Sequence, residues 1–412
     1  MIGFDLPEDI ADVQALARDF VTKELHEAEA AVDRIADPEA AYTSPEIKNV
    51  LARMYEMGFH KLTLPEEIGG LGLPGFAGSV VLEELAVGGP GLASHMLVAP
   101  IAPYMINMFQ LGGRHPRYKE YLEAFVSDTS GQHGSCWAIT EPQVGSDIFT
   151  FGAGDVHFHT KAAHDEGEQA PTTAVREGGG WRIDGAKSAF VSNGYLADFI
   201  LLMAAVEADT DMAGTGVFLI PGDLDGISRG RPLDKVGLRA LNQSEIFFDS
   251  VWVPDEMLIV PAGPMYRTIL EFIVTSGNTS VGLLSVGVAR AAYEAALAHA
   301  KERRQAGTAI FDHQLVRMKL FDAFRSIEAA RLLLWKSAWC VSENRPDVRL
   351  AMAARTVASE MATRVTNDMV QIFGGYGISR EYPVEKCYRD AKPLCIMDGT
   401  LDRVSMFASQ GL

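Results

Sequence analysis

Cysteine is scarce in this chain of 412 residues. There are four, at positions 136, 340, 387 and 395, unevenly spaced and without a CxxC pair. That excludes a disulfide framework and the usual ligand spacing of a structural zinc or iron–sulfur site, and no metal site is expected. Positive charge is short as well. Against 54 Asp and Glu stand 36 Lys and Arg, a formal net charge of −18. A field of that sign argues against nucleic-acid backbones and anionic lipid as partners, and confines anion contacts to chosen basic residues. Long apolar runs are missing: residues 92–109 are interrupted by Pro100 and Pro103, and residues 199–206 are too few to span a bilayer. The start, MIGFDLPEDIADVQ, has neither a basic nor an apolar region, so no secretory or mitochondrial signal is read there. The expectation is a soluble, cytoplasmic protein of a reducing compartment.

What is present is an ordinary globular composition, 48% hydrophobic, over a length that suits two or three domains. Residues 7–35 place Ile10, Val13, Leu16, Ala17, Phe20, Val21 and Leu25 at helical spacing, and further helix is expected at 45–57 and 77–88. The middle third changes period. Short segments rich in β-branched and aromatic residues, at 134–140, 172–176, 181–184, 199–205, 217–220 and 244–253, alternate with Gly and Pro turns. No proline occurs between Pro264 and Pro346, where Ala, Leu, Arg and Glu suit long packed helices. The fold class is therefore α+β, mainly α. It divides into a helical domain at 1–133, a β domain at 134–253 and a helical domain at 254–412.

Some motifs have plain explanations. Gly70-Leu71-Gly72-Leu73-Pro74-Gly75 matches GxGxxG, but Pro74 falls inside it and no βαβ unit surrounds it, so it reads as a surface turn. His157, His159 and His164 lie in a polar Gly/Asp-rich stretch and read as a solvated loop. Three segments resist such readings. WAITEPQVGSD at 137–147 ends a strand with exposed backbone N–H groups and hydroxyls, suited to a planar polar ligand. WRIDGAK at 181–187, followed by Phe190 and Ser192, reads as a hairpin presenting an aromatic and a hydroxyl together. QIFGGYG at 371–377 has paired glycines that permit close backbone approach, and Asp398-Gly399-Thr400 puts a carboxylate on a turn before another helix.

These motifs, in this order, resemble the acyl-CoA dehydrogenase family of FAD-dependent flavoproteins across essentially the whole chain. GLRALNQSEIFFDSVWVPDEML and KERRQAGTAIFDHQ add to the match. The resemblance implies a central β-barrel or sandwich domain and a C-terminal four-helix bundle. It implies FAD as cofactor, with Trp137, Ile139, Thr140, Gly145, Ser146, Phe190 and Ser192 along the isoalloxazine. Arg303 would meet the pyrophosphate. Gln314, Gln371, Gly374 and Gly375 would hold the rest of the cofactor, the last three from a neighbouring subunit, so a homodimer or homotetramer is implied. Thr400 would touch the cofactor beside the base. Ser146, Asn278 and Gly399 would meet the acyl-CoA substrate, and Ser94 and His95 would line its tail pocket. Asp398 would be the catalytic base, removing the α-proton while the β-hydrogen leaves as hydride, with an electron-transfer flavoprotein as acceptor.

The chain departs from the family pattern in places. The base before Gly-Thr is usually Glu, and Asp398 is one methylene shorter, about 1.5 Å of reach. The other position that carries a base in some relatives, on the long helix before an Arg, holds Gly277 and Asn278. Ala306 replaces the Phe of RxxFG, and the stretch around 151–171 is longer than the family pattern, an insertion in a β-domain loop. Alternatives are a nitroalkane oxidase-like flavin oxidase of the same fold, since that branch also uses Asp, and a non-catalytic flavoprotein partner.

Overall fold

The computed structural model describes residues 5–143, 145, 171–206 and 214–410. The first helical layer begins with α1 (Glu8–Phe20), a π turn (Val21–Leu25) and α2 (His26–Asp33), one continuous rod that buries Ile10, Ala17, Phe20, Val21, Leu25 and Val32. The helices α3 (Pro38–Thr43) and α4 (Pro45–Glu56) follow, each opened by an acceptor and a proline: Asp37 accepts from Glu39 N–H, and Ser44 accepts from Ile47 N–H at 3.3 Å. Then come α5 (Gly75–Gly88), α6 (Pro90–Val98), α7 (Ile101–Met108) and α8 (Pro116–Ser127). The Asp128 carboxylate accepts four backbone N–H groups, from Ser130, Gly131, Gln132 and His133, and so turns the chain into the sheet.

Eight strands form the middle layer: β1 (Ser135–Ala138), β2 (Thr173–Glu177), β3 (Gly180–Ser192), β4 (Phe199–Ala205), β5 (Thr215–Pro221), β6 (Ile227–Arg229), β7 (Gln243–Pro254) and β8 (Leu258–Val260). They run in the order β6-β7-β3-β2-β4-β5-β8, with β1 joined parallel to β4. Every residue of β4 and β5 is buried, which is why FILLMAA and TGVFLIP read as unbroken rather than alternating apolar runs. Residues 181–192 do not fold as a hairpin. They are one long strand, β3, whose pairing with β7 is irregular between Ile183 and Gly185 and between Lys187 and Val191.

The last layer is built on α9 (Pro264–Glu302), followed by the two-residue strands β9 (Arg304–Gln305) and β10 (Thr308–Ala309), then α10 (Gln314–Ser342), α11 (Val348–Phe373), α12 (Val384–Leu394) and α13 (Leu401–Ser409). The helix α9 packs against α5, α6, α10, α11 and α12. Its span Thr268–Glu302 is long and apolar enough to cross a membrane by length and composition, unlike the stretches singled out in the sequence. Its apolar window is 72% buried by other helices, so the apolarity serves the core. Ion pairs stitch the layers: Glu83 and Glu84 on α5 receive Arg290 of α9, Arg331 of α10 and Arg18 of α1. Lys386 of α12 joins Glu29 of α2, and Asp390 accepts from Leu238 N–H at 2.7 Å, tying α12 to the β domain.

Candidate active site

Asp398 sits on the turn between α12 and α13. Pro393 lies in the last turn of α12, and Asp398 (φ 53°) and Gly399 (φ 100°) then take two successive left-handed conformations. Aspartate is among the few non-glycine residues that tolerate that region. The turn is held from α11. The Arg355 guanidinium donates from Nη1 to the Asp398 carbonyl at 2.7 Å, and from Nη2 to the carbonyls of Gly399 at 2.8 Å, Leu394 at 3.4 Å and Met397. Nη1 also donates to Asn278 Oδ1 at 2.8 Å. Arg355 is completely buried. Burial pulls it down to about 10, a shift opposed by the nearby Asp398. It is therefore still charged at neutral pH.

The Asp398 carboxylate points at α9. Its Oδ2 lies 2.6 Å from where a Cβ on Gly277 would stand. Burial raises the Asp398 carboxyl above its ordinary value, and the Arg355 charge opposes the rise. Gly277 and Asn278, named together in the sequence, thus both lie beside the Asp398 turn, one as room for the carboxylate and the other as an acceptor for Arg355. Sequence reasoning missed Arg355; the signal was an arginine on the apolar stripe of α11, among buried Ala351, Met352, Ala354 and Ala358.

A second group gathers where β1 ends against β3. Thr140 Oγ1 and Ser188 Oγ are 2.7 Å apart, and the Thr140 carbonyl accepts from Ser188 N–H at 2.9 Å. Beneath them Lys187 and Glu141, both fully buried, pair at 2.7 Å, and Lys187 also donates to the Ile139 carbonyl at 3.3 Å. Both residues belong to the sequence motifs, Glu141 to the segment 137–147 and Lys187 to the segment 181–187. Burial lowers the Lys187 ammonium and Glu141 opposes that shift. Gln243 donates to Ser192 Oγ at 3.1 Å and to the Phe190 carbonyl at 3.2 Å, while the Phe190 ring is 65% exposed. The indole N–H of Trp137 is buried without an acceptor among the described residues. Gly145 is described; Ser146, the three loop histidines and residues 151–170 lie outside the described residues.

A third group lines a cavity of about 650 Å³ beside the end of α9: Arg303, Gln371, Gly374, Gly375 and Tyr376. Arg303 lies over the Tyr376 ring, 5.4 Å from its centroid. Gly374 has φ 61° and ψ −135°, a conformation open to glycine alone, and nothing stands within 4 Å of a Cβ built on Gly374 or Gly375. Gln314 begins α10 between His313 and Leu315, which line the same cavity. Arg303 therefore groups with the Gln371–Gly375 segment and not with the strand end. Thr400 precedes α13, next to the Asp398 turn. Ser94 and His95 are both buried on α6. Ser94 donates to the Pro90 carbonyl at 2.7 Å, and burial drops His95 to about 4, which leaves it neutral.

A helical layer, a buried mixed sheet and a helical bundle, with a half-buried carboxylate on the turn before the last helix, define a three-layer architecture, and comparison with known proteins places it in a family. The N-terminal, middle and C-terminal domain patterns of acyl-CoA dehydrogenases match residues 7–128, 136–251 and 268–409. The short-chain specific acyl-CoA dehydrogenase of Bos taurus is 30% identical over 398 residues, 96% of this chain and 88% of that protein. A probable acyl-CoA dehydrogenase of Bacillus subtilis is 31% identical, covering 97% of this chain and 96% of its own. The structure of butyryl-CoA dehydrogenase from Megasphaera elsdenii superposes with a TM-score of 0.85 at 28% identity, over 100% of this chain and 99% of that one. The chain belongs to the acyl-CoA dehydrogenase family and is an oxidoreductase, and the expected fold class is borne out.

Proposed function

We propose that the protein binds FAD and desaturates an acyl-CoA thioester between its α and β carbons, with Asp398 as the base. The observation that carries this reading is the half-buried Asp398 carboxyl, held on a fixed turn and pushed above its ordinary range by burial, in a chain of this family. A carboxyl pushed upward is a stronger base once ionised, which suits removal of a weakly acidic α-proton. A backbone N–H beside the base would stabilise the developing enolate oxygen. When bound, FAD supplies the two-electron acceptor for the β-hydrogen.

The residues fit that cofactor. The buried indole N–H of Trp137, without an acceptor among the described residues, offers a hydrogen bond to a polar ligand edge at the strand end, where Ile139 and Thr140 follow in the chain. Arg303 and the open backbone at Gly374 and Gly375 offer charge and room to a phosphate-rich ligand. The grouping of Arg303 with Gln371, apart from the strand end, supports a cofactor shared between two copies of the chain. An electron-transfer flavoprotein is the proposed acceptor and a soluble, cytoplasmic setting the proposed location; the one membrane-length apolar helix among the described residues is buried in the core.

The test is anaerobic mixing of the FAD-loaded protein with acyl-CoA thioesters bearing straight, branched, alicyclic and aromatic chains. Bleaching of the flavin by at least one is expected. An enzyme bleached by nitroethane and by none of the thioesters would instead be the oxidase that the shortened carboxylate also allows, because a nitroalkane C–H is far more acidic.

A further inference from the structure

Arg355 heads the fully buried large side chains of this protein. Burying a guanidinium is costly, and an aliphatic side chain would fill the same volume more cheaply. None of its hydrogen bonds described above goes to a carboxylate. They go to Asn278 Oδ1 and to the carbonyls of Leu394, Met397, Asp398 and Gly399, on both sides of the Asp398 side chain in the turn that presents it. A planar fork with fixed N–H directions suits that task; a lysine, with one rotating ammonium, does not. The same turn carries two successive left-handed residues, a conformation that persists only where its surroundings impose it.

We propose that Arg355 is the positioning residue of the base: by gathering the carbonyls of Leu394, Met397, Asp398 and Gly399 it fixes the turn so that the Asp398 carboxylate projects into the notch left by Gly277. This rests on Asp398 being the base. The charge of Arg355 also acts on that carboxylate from α11. The other titratable group acting on Arg355 is Cys395 on the same turn, while α9 presents only Gly277 and neutral Asn278.

The experiment compares FAD-loaded parent, Arg355→Lys and Arg355→Met by anaerobic stopped-flow flavin reduction with butyryl-CoA, isobutyryl-CoA and glutaryl-CoA across pH. Arg355→Lys keeps the charge and loses the fork. It should lose on the order of tenfold to a hundredfold in limiting rate, with half-saturation by thioester little changed and the pH profile in place. Arg355→Met should lose at least as much and move the inflexion to higher pH. Parent rates with the parent pH profile in both variants would overturn the proposal. So would a loss that only follows loss of FAD and of folding, because the role would then be structural. If no thioester bleaches the parent, the desaturation reading fails while the link is still decided by melting. Asp398→Asn should raise Tm at pH 8 more in the Arg355→Met background than in the parent, and equal gains would sink it.

Discussion

Oδ2 of Asp398 stands 2.6 Å from the point a Cβ would occupy on Gly277. No side chain and carboxylate oxygen can share that distance, so the glycine is a condition of the carboxylate's placement. Gly277→Ala should lower the rate of flavin reduction by about tenfold or more, since small displacements of a base are expensive. In the middle of α9, alanine favours the helix by about 1 kcal/mol over glycine. A drop in rate at undiminished Tm, read by stopped-flow and thermal melting, is the expected pattern; an unchanged rate would mean the carboxylate moves aside at no cost.

Asp398 also gives the protein a pH signature. Its folded carboxyl is raised above the unfolded value, by burial first, with Arg355 opposing. The unfolded chain therefore loses this proton at lower pH than the folded one. The stability contributed by the protonated group is complete below the ordinary carboxylate range and is lost as pH rises through the raised folded value. Asp398→Asn has no such loss. The Tm of Asp398→Asn relative to the parent should climb with pH from about 4 upward and then level. The same titration should appear in the parent as a rise in flavin reduction rate with pH; a Tm difference that is flat from acid to neutral pH would contradict the raised carboxyl.

Trp137→Phe keeps an aromatic ring and removes only the buried indole N–H that has no acceptor among the described residues. If that N–H serves the cofactor, the FAD dissociation constant should rise about five- to tenfold, the worth of roughly 1 kcal/mol. Titrating apo-protein with FAD by absorbance decides it. Unchanged affinity would place the indole N–H outside the cofactor site.

Lys187 and Glu141 are a fully buried pair. Lys187→Met leaves Glu141 without its ammonium and should cost about 3–5 kcal/mol in chemical denaturation. Lys187→Met combined with Glu141→Leu should recover most of that, because keeping the Glu141 charge buried without the ammonium is the larger part of the penalty. If the double variant is no more stable than Lys187→Met, the hydrogen bond from Thr172 N–H to Glu141 at 3.1 Å, and not the charge, is what the site needs.

Contiguous features were legible in the sequence, and convergent ones were not. The β2–β3 turn at Gly178 and Gly179, the buried runs of β4 and β5, and the Asp398-Gly399 turn before α13 are each written within a few residues. Pro90 and Pro116 opened α6 and α8, where the fixed φ of proline suits a first turn, so prolines that look like breakers marked starts, and α6–α8 were not individually foreseen. Residues 181–192 carry the Gly and Asn of a hairpin, yet β-bulges absorb them into one strand. Arg355 shows the limit most clearly. The carbonyls it binds lie about forty residues further along the chain, and no residue type encodes which carbonyls a loop will turn inward.

The length of α9 has its own consequence. Gly277 lies inside this helix and Arg303 caps its end, 303 − 277 = 26 residues later, or about 39 Å along the axis. One uninterrupted rod thus sets both the separation and the relative rotation of the Gly277 notch and the arginine cavity. Deleting a single residue between them would swing Arg303 by about 100° around the axis and draw it about 1.5 Å closer, however well the helix re-formed. Between these two positions the residue count of α9 is itself a specification, and substitutions that preserve that count are the changes through which this segment can vary.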